Sequence, residues 1–174
     1  VDVLGHAEVV KVSSVAVDET PPTIAFTQPA ANAVLNTATP IIQLSYSDAG
    51  SGIDKDTFTI AIDGVPLSVL ADVSGITITP SVGQGPHAVT ASIADRLGNR
   101  RSVSLSFFVD SIPPQVTMTK PPNGSYVNVK RPTIEGIASD YGSGLNTSSI
   151  TMRLDESAVA AQIASPGGPG IPGA

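Results

Sequence analysis

Apolar and polar residues alternate with a period of two along much of the chain. Val103, Leu105, Phe107 and Val109 share one face of their segment; Phe58, Ile60 and Ile62 share another, as do Ile76 with Ile78, and Val89 with Ala91 and Ile93. Successive side chains of an extended backbone point to opposite sides, so each run reads as a half-buried β-strand. Between residues 19 and 110 the pattern predicts seven strands, at roughly 23–28, 41–47, 57–63, 66–70, 75–79, 87–94 and 102–110. Turn-forming residues punctuate them: Ala49-Gly50-Ser51-Gly52, Asp63-Gly64, Gly83-Gln84-Gly85-Pro86 and Leu97-Gly98-Asn99. No amphipathic helix interrupts them. The expectation is an all-β fold, a sandwich of two sheets.

The pattern also repeats. Val17-Asp-Glu-Thr-Pro-Pro22 overlays Val109-Asp-Ser-Ile-Pro-Pro114, and the register then holds without a gap for 48 residues, of which 16 are identical. Pro29 falls on Pro121, Asn36 on Asn128, Pro40 on Pro132, and Ser47-Asp-Ala-Gly-Ser-Gly-Ile-Asp54 on Ser139-Asp-Tyr-Gly-Ser-Gly-Leu-Asn146. Residues 2–18 resemble 95–110, with one extra residue and a change of parity at Ser13-Ser14, the signature of a β-bulge. The chain therefore divides into the end of one unit (1–18), a complete unit (19–110), the first half of another (111–162) and a Pro/Gly-rich linker or tail (163–174). Its N-terminus is neither an initiator methionine nor a signal peptide, so it is expected to begin inside a longer protein.

Composition narrows the functions open to such an array. With 9 basic against 15 acidic residues the net charge is −6, and aromatic residues make up 4%. That is the opposite of the electrostatic footprint of a nucleic-acid binder. There is no cysteine, which removes disulfides, thiol catalysis and Cys-ligated zinc. No apolar run reaches the roughly 20 residues of a membrane span. His6 and His87 are the only histidines, and no nucleophile elbow, zinc-protease or phosphate-loop motif occurs, so no enzyme is expected. His87 reads as a surface imidazole hydrogen-bonded to a loop, on the face opposite Val89 and Ile93. The arginines 96, 100 and 101, and Lys130 with Arg131, read as solvated loops, with binding of an acidic glycan or partner as the alternative.

Taken together, D-x-x-P-P-x-I from Asp18, P-x-I from Pro40, D-x-G-S-G-I-D from Asp48, G-x-H-x-V from Gly85 and D-x-x-G-N from Asp95 resemble the bacterial immunoglobulin-like repeat family. The resemblance covers residues 1–160. It implies Ig-like β-sandwich repeats in tandem, an extracellular or cell-surface setting in a bacterium, and neighbouring Ig-like units in the same or an adjacent chain as partners. The corresponding function is a non-catalytic spacer or stalk of an adhesin or surface-layer type of protein. Two alternatives stay open. One is a subunit of an extracellular filament, in which residues 1–18 of another chain complete the half-unit. The other is a carbohydrate-binding module of a secreted enzyme, with Tyr126 and Tyr141 as its exposed aromatics; a surface glycan or protein is then the partner.

The candidate site is a cation, calcium, at the junction between units. Calcium requires several oxygens, usually with two or three carboxylates among them. Asp18 with Glu19 sits at the first junction, and Asp48 and Asp54 flank a turn expected to face it; Asp110 and Asp140 recur in the second copy, with Asn146 in place of Asp54. Some tandem repeats of the family are stiffened by calcium at their linkers, which the resemblance carries to Asp18, Asp48, Asp110 and Asp140. The competing reading is that each aspartate caps its own turn through backbone N–H groups. Pro21-Pro22 and Pro113-Pro114 fix φ and hold the preceding residues extended, giving either a semi-rigid linker or a guarded strand edge.

Overall fold

The structure, a computed structural model, describes residues 3–5 and 15–164. The bulge expected at Ser13-Ser14 and most of the Pro/Gly-rich tail lie outside them. From 23 to 109 the chain forms β1 (Thr23–Gln28), β2 (Ala33–Leu35), β3 (Ile42–Ser47), β4 (Ile53–Ile62), β5 (Val65–Leu67), β6 (Gly75–Ile78), β7 (Gly85–Asp95) and β8 (Arg100–Val109). They assemble into a three-stranded sheet, β1-β3-β6, and a five-stranded sheet, β2-β8-β7-β4-β5. The period-2 residues of both sheets meet between them: Ile24, Ile42, Leu44, Tyr46 and Ile76 from one, Ile60, Ile62, Val89, Ala91, Ile93, Leu105, Phe107 and Val109 from the other. Each large aliphatic side chain buried there contributes about 1.5–3 kcal/mol relative to its exposed state. The fold is an immunoglobulin-like β-sandwich.

Two features escape a reading by alternation. β2, only three residues long, pairs in parallel with β8, Val34 opposite Phe108; so short a strand carries no periodic signal. β4 begins earlier than expected because Ile53-Asp54 pair with Asp95-Ala94 before the register breaks, resuming at Thr59 opposite Ser92. The irregularity over the intervening residues breaks parity, so alternation shows only from Phe58 onward. At the β4–β5 hairpin, Asp63 (φ 51°) and Gly64 (φ 80°) both adopt the left-handed conformation that a tight two-residue hairpin needs.

Past Val109 the same plan starts again. β9 (Gln115–Lys120) pairs with β10 (Glu135–Ser139), and β11 (Met152–Leu154) with β12 (Ser157–Val159). These lie 92 residues after β1, β3, the end of β4 and β5. No described residue from 111 to 164 is buried. Ile24 is 7% exposed, whereas Val116 at the equivalent position is 71% exposed. The difference is the absence from this segment of counterparts to β7 and β8, which supply the opposing face of the core in the complete unit.

Candidate functional site

The chain enters the sandwich through Asp18. Its Oδ1 accepts hydrogen bonds from Thr20 N at 3.1 Å and Thr20 Oγ1 at 2.7 Å, and its Oδ2 accepts one from Ser51 N at 2.6 Å. The carboxylate lies against Gly50 so closely that a Cβ there would collide with it. Asp48 Oδ1 closes the same turn by accepting from Gly50 N at 3.0 Å and Gly52 N at 2.7 Å. The third member is Asp95, at the end of β7. Its Oδ1 accepts from Leu97 N at 2.9 Å and Asn99 N at 2.8 Å, and its Oδ2 from Asn99 Nδ2 at 2.7 Å. Asn99 Nδ2 also donates to the backbone carbonyl of Asp18 at 3.0 Å, and Arg96 N donates to Gly52 O at 3.0 Å. Linker, Gly-rich turn and β7–β8 turn are thereby tied into one hydrogen-bonded unit. Pro22, just beyond, is fully buried.

Carboxylate oxygens of Asp18, Asp48 and Asp95 lie within 4.8 Å of one another. Asp54 is not in this group: its Oδ1 accepts from Asp56 N at 3.2 Å, above the irregular stretch of β4. Asp95 is the residue that sequence reasoning missed, although its D-x-x-G-N motif is one of the repeat's markers. The cross-strand pairing of Asp95 with Ile53 brings it to the turn, and only the order of strands in the sheet creates that pairing. Three carboxylates suit a hard cation. Yet every oxygen of the three except Asp48 Oδ2 already accepts a hydrogen bond. As arranged, uncharged N–H and O–H donors stabilise the carboxylates.

The acidities follow from those bonds. The Thr20 hydroxyl, helped by the amides of Ser51 and Thr20, holds the Asp18 carboxyl far below the usual carboxylate range. At Asp95 burial pushes the pKa upward, and the Asn99 side chain and amide with the Leu97 amide more than offset it, so the net direction is down. The nearby Asp18 charge opposes that lowering.

The second junction repeats the first. Asp110 Oδ2 accepts from Ser143 N at 2.5 Å, a Cβ on Gly142 would collide with the Asp110 carboxylate, and Asp140 Oδ1 accepts from Gly142 N at 3.1 Å and Gly144 N at 2.7 Å. The Ser143 hydroxyl and amide lower the Asp110 pKa. Asp110 N donates to Leu35 O at 2.8 Å, and Gln84 grips Ser111 through both ends of its amide, at 2.9 and 2.6 Å. Pro113 and Pro114 are exposed.

His87 corrects the sequence reading in part. It shares the face of Val89, and its side chain is 9% exposed, with the ring centred 5.5 Å from that of Phe107. Nδ1 lies 2.7 Å from Asp63 Oδ2, and Nε2 3.0 Å from Gly83 O, so the bond to a loop holds but the imidazole is not on the surface. Arg100 donates to Thr57 O and Ser92 Oγ. Phe26, Phe58 and Phe107 belong to the core or pack against it, whereas Tyr126 and Tyr141 are 102% and 96% exposed.

No protein-family model matches the chain. It is similar to halomucin of Haloquadratum walsbyi (strain DSM 16790 / HBSQ001), 30% identical over 161 residues, which covers 83% of this chain and 2% of halomucin. The chain thus spans only a small fraction of that relative. Solved structures similar to it include latent PorU from Porphyromonas gingivalis (22% identity, TM-score 0.45, 61% of this chain and 12% of that one). Others are the fibronectin(III)-like modules of CbhA from Clostridium thermocellum (17%, 0.41, 57% and 52%) and CopC from Methylosinus trichosporium OB3b (18%, 0.38, 51% and 94%). Among the described residues no helix is long and apolar enough to cross a membrane.

Proposed function

We propose that the chain is a non-catalytic spacer segment of an exported surface protein, in which Ig-like units are held at a set angle by their junctions. The observation that carries this reading is the recurrence of one clamp at an interval of 92 residues. Asp18 on Ser51 N and Asp110 on Ser143 N each bind a linker aspartate to the Gly-rich turn of the unit that follows. Two prolines after each aspartate leave the linker little freedom. The similarity to halomucin supports a cell-surface setting, and a complete unit that buries its own core suits a place in a linear array.

The absence of cysteine from the chain permits a direct test. Spin labels on engineered cysteines at the exposed positions Thr90 and Thr151 report the distance across the second junction by pulsed electron resonance. A narrow distribution that broadens in Asp110→Ala is the expected result. A distribution already broad in the parent chain would sink the spacer reading.

A further inference from the structure

Asn123-Gly124-Ser125 and Asn146-Thr147-Ser148 are the chain's two N-x-Ser/Thr sequences, the acceptor pattern for N-linked glycans on exported proteins. We infer that Asn123 and Asn146 are N-glycosylation sites; the inference rests on the exported-surface reading above. Geometry supports the motif at Asn146. This residue precedes the 3-10 turn Thr147–Ser149 in an extended conformation, and its side chain makes no capping bond to that turn. Instead its Oδ1 accepts a hydrogen bond from Ser148 Oγ at 2.6 Å, so the hydroxyl the motif requires orients the carboxamide, while Nδ2 has no partner among the described residues. The residue is exposed.

Asn123 is also exposed, in a turn closed by Ser125 N donating to Pro122 O at 3.1 Å. Its equivalent in the complete unit, Ala31, is exposed too, so completing the second sandwich would leave Asn123 open. Asn128 is an exposed asparagine without the motif, followed by Val129-Lys130, and serves as the internal control.

The transfer needs an activated donor, a glycan joined through its anomeric carbon to a polyprenyl phosphate or pyrophosphate, and the cell's glycosyltransferase. Nδ2 attacks the anomeric carbon, the carbon–oxygen bond to phosphate breaks, and the lipid phosphate leaves with the electron pair. Nδ2 gives up one proton to a base of the transferase. Nothing is oxidised or reduced.

Trypsin separates the two sites into residues 102–130 and 131–153, because Lys120 and Arg131 each precede proline. Peptide mass mapping of protein recovered from the surface of producing cells is expected to show saccharide mass increments on both peptides, located at Asn123 and Asn146 with Asn128 bare. Asn146→Gln and Ser148→Ala should each abolish the increment on 131–153 and leave that on 102–130. Bare peptides from chain that surface proteolysis shows to be outside the cell would overturn the glycosylation and leave the surface reading standing. Chain found only inside cells would overturn both.

Discussion

Asp95 is 1% exposed and still carries a carboxylate. Burying a charge is unfavourable unless donors replace the lost water, and here two amides and the Asn99 side chain do so. Asp54, by contrast, is half-buried, and among the described residues its side chain accepts only the backbone amide of Asp56. Asp95→Ala should therefore lower the melting temperature clearly more than Asp54→Ala, measured by circular dichroism; equal decreases would show that the turn does not depend on Asp95. Along the sequence Asp48 and Asp54 flank the turn symmetrically, which is why Asp54 is the residue that reading selects. The choice is decided by which strand lies beside the turn, and a linear sequence does not display that. His87 is a different case: its number alone places it on the face of Val89, so its position was legible from parity.

At the scale of elements, the junction clamp and the core make separate predictions. A Cβ at Gly50 collides with the Asp18 carboxylate, so Gly50→Ala should be destabilising in the parent chain and nearly neutral once Asp18→Ala has removed the obstacle. A thermal double-mutant cycle reads that coupling directly; additive decreases would mean the two residues act independently. In the core, Ile24→Ala should cost about 2–5 kcal/mol in urea unfolding of the sandwich. Val116→Ala, at the equivalent position of the second unit, should stay within about 0.5 kcal/mol because that side chain is already in water. The strands of the complete unit were legible because alternation survives along most of them. β2 and the start of β4 were not, since one is too short and the other is broken by an irregular register.

For the whole molecule, Asp18, Asp63, Asp95 and Asp110 are all more acidic folded than unfolded. At Asp63 the lowering comes first from the Ala88 amide and then from His87. A carboxyl with a depressed folded pKa contributes its full stabilisation above the unfolded value and loses it as pH falls through the folded one. Unfolding free energy should thus decline as pH drops below about 4, and Asp63→Asn together with Asp110→Asn should flatten the decline. An unchanged slope would assign acid sensitivity elsewhere. Calcium belongs to the same scale. A bound ion would relieve the repulsion between Asp18 and Asp95, but the amide and hydroxyl donors already stabilise these carboxylates without one. Melts in millimolar calcium and in chelator are expected to coincide; a calcium-dependent rise would show that the acidic group at the first junction coordinates the ion.

By itself the sequence determined the all-β class, the strand faces and the repeat of 92 residues. Those properties are local or periodic, and a chain carries them before any strand meets another. The tertiary structure decided the rest: the parallel pairing of β2 with β8, the arrival of Asp95 beside Asp18 and Asp48, and the seating of each linker aspartate on the turn that follows it. Each of these joins residues far apart in the chain; in the complete unit the burial of two apolar sheet faces against each other brings them together, and at the second junction the hydrogen bond from the Ser143 amide to the Asp110 carboxylate does.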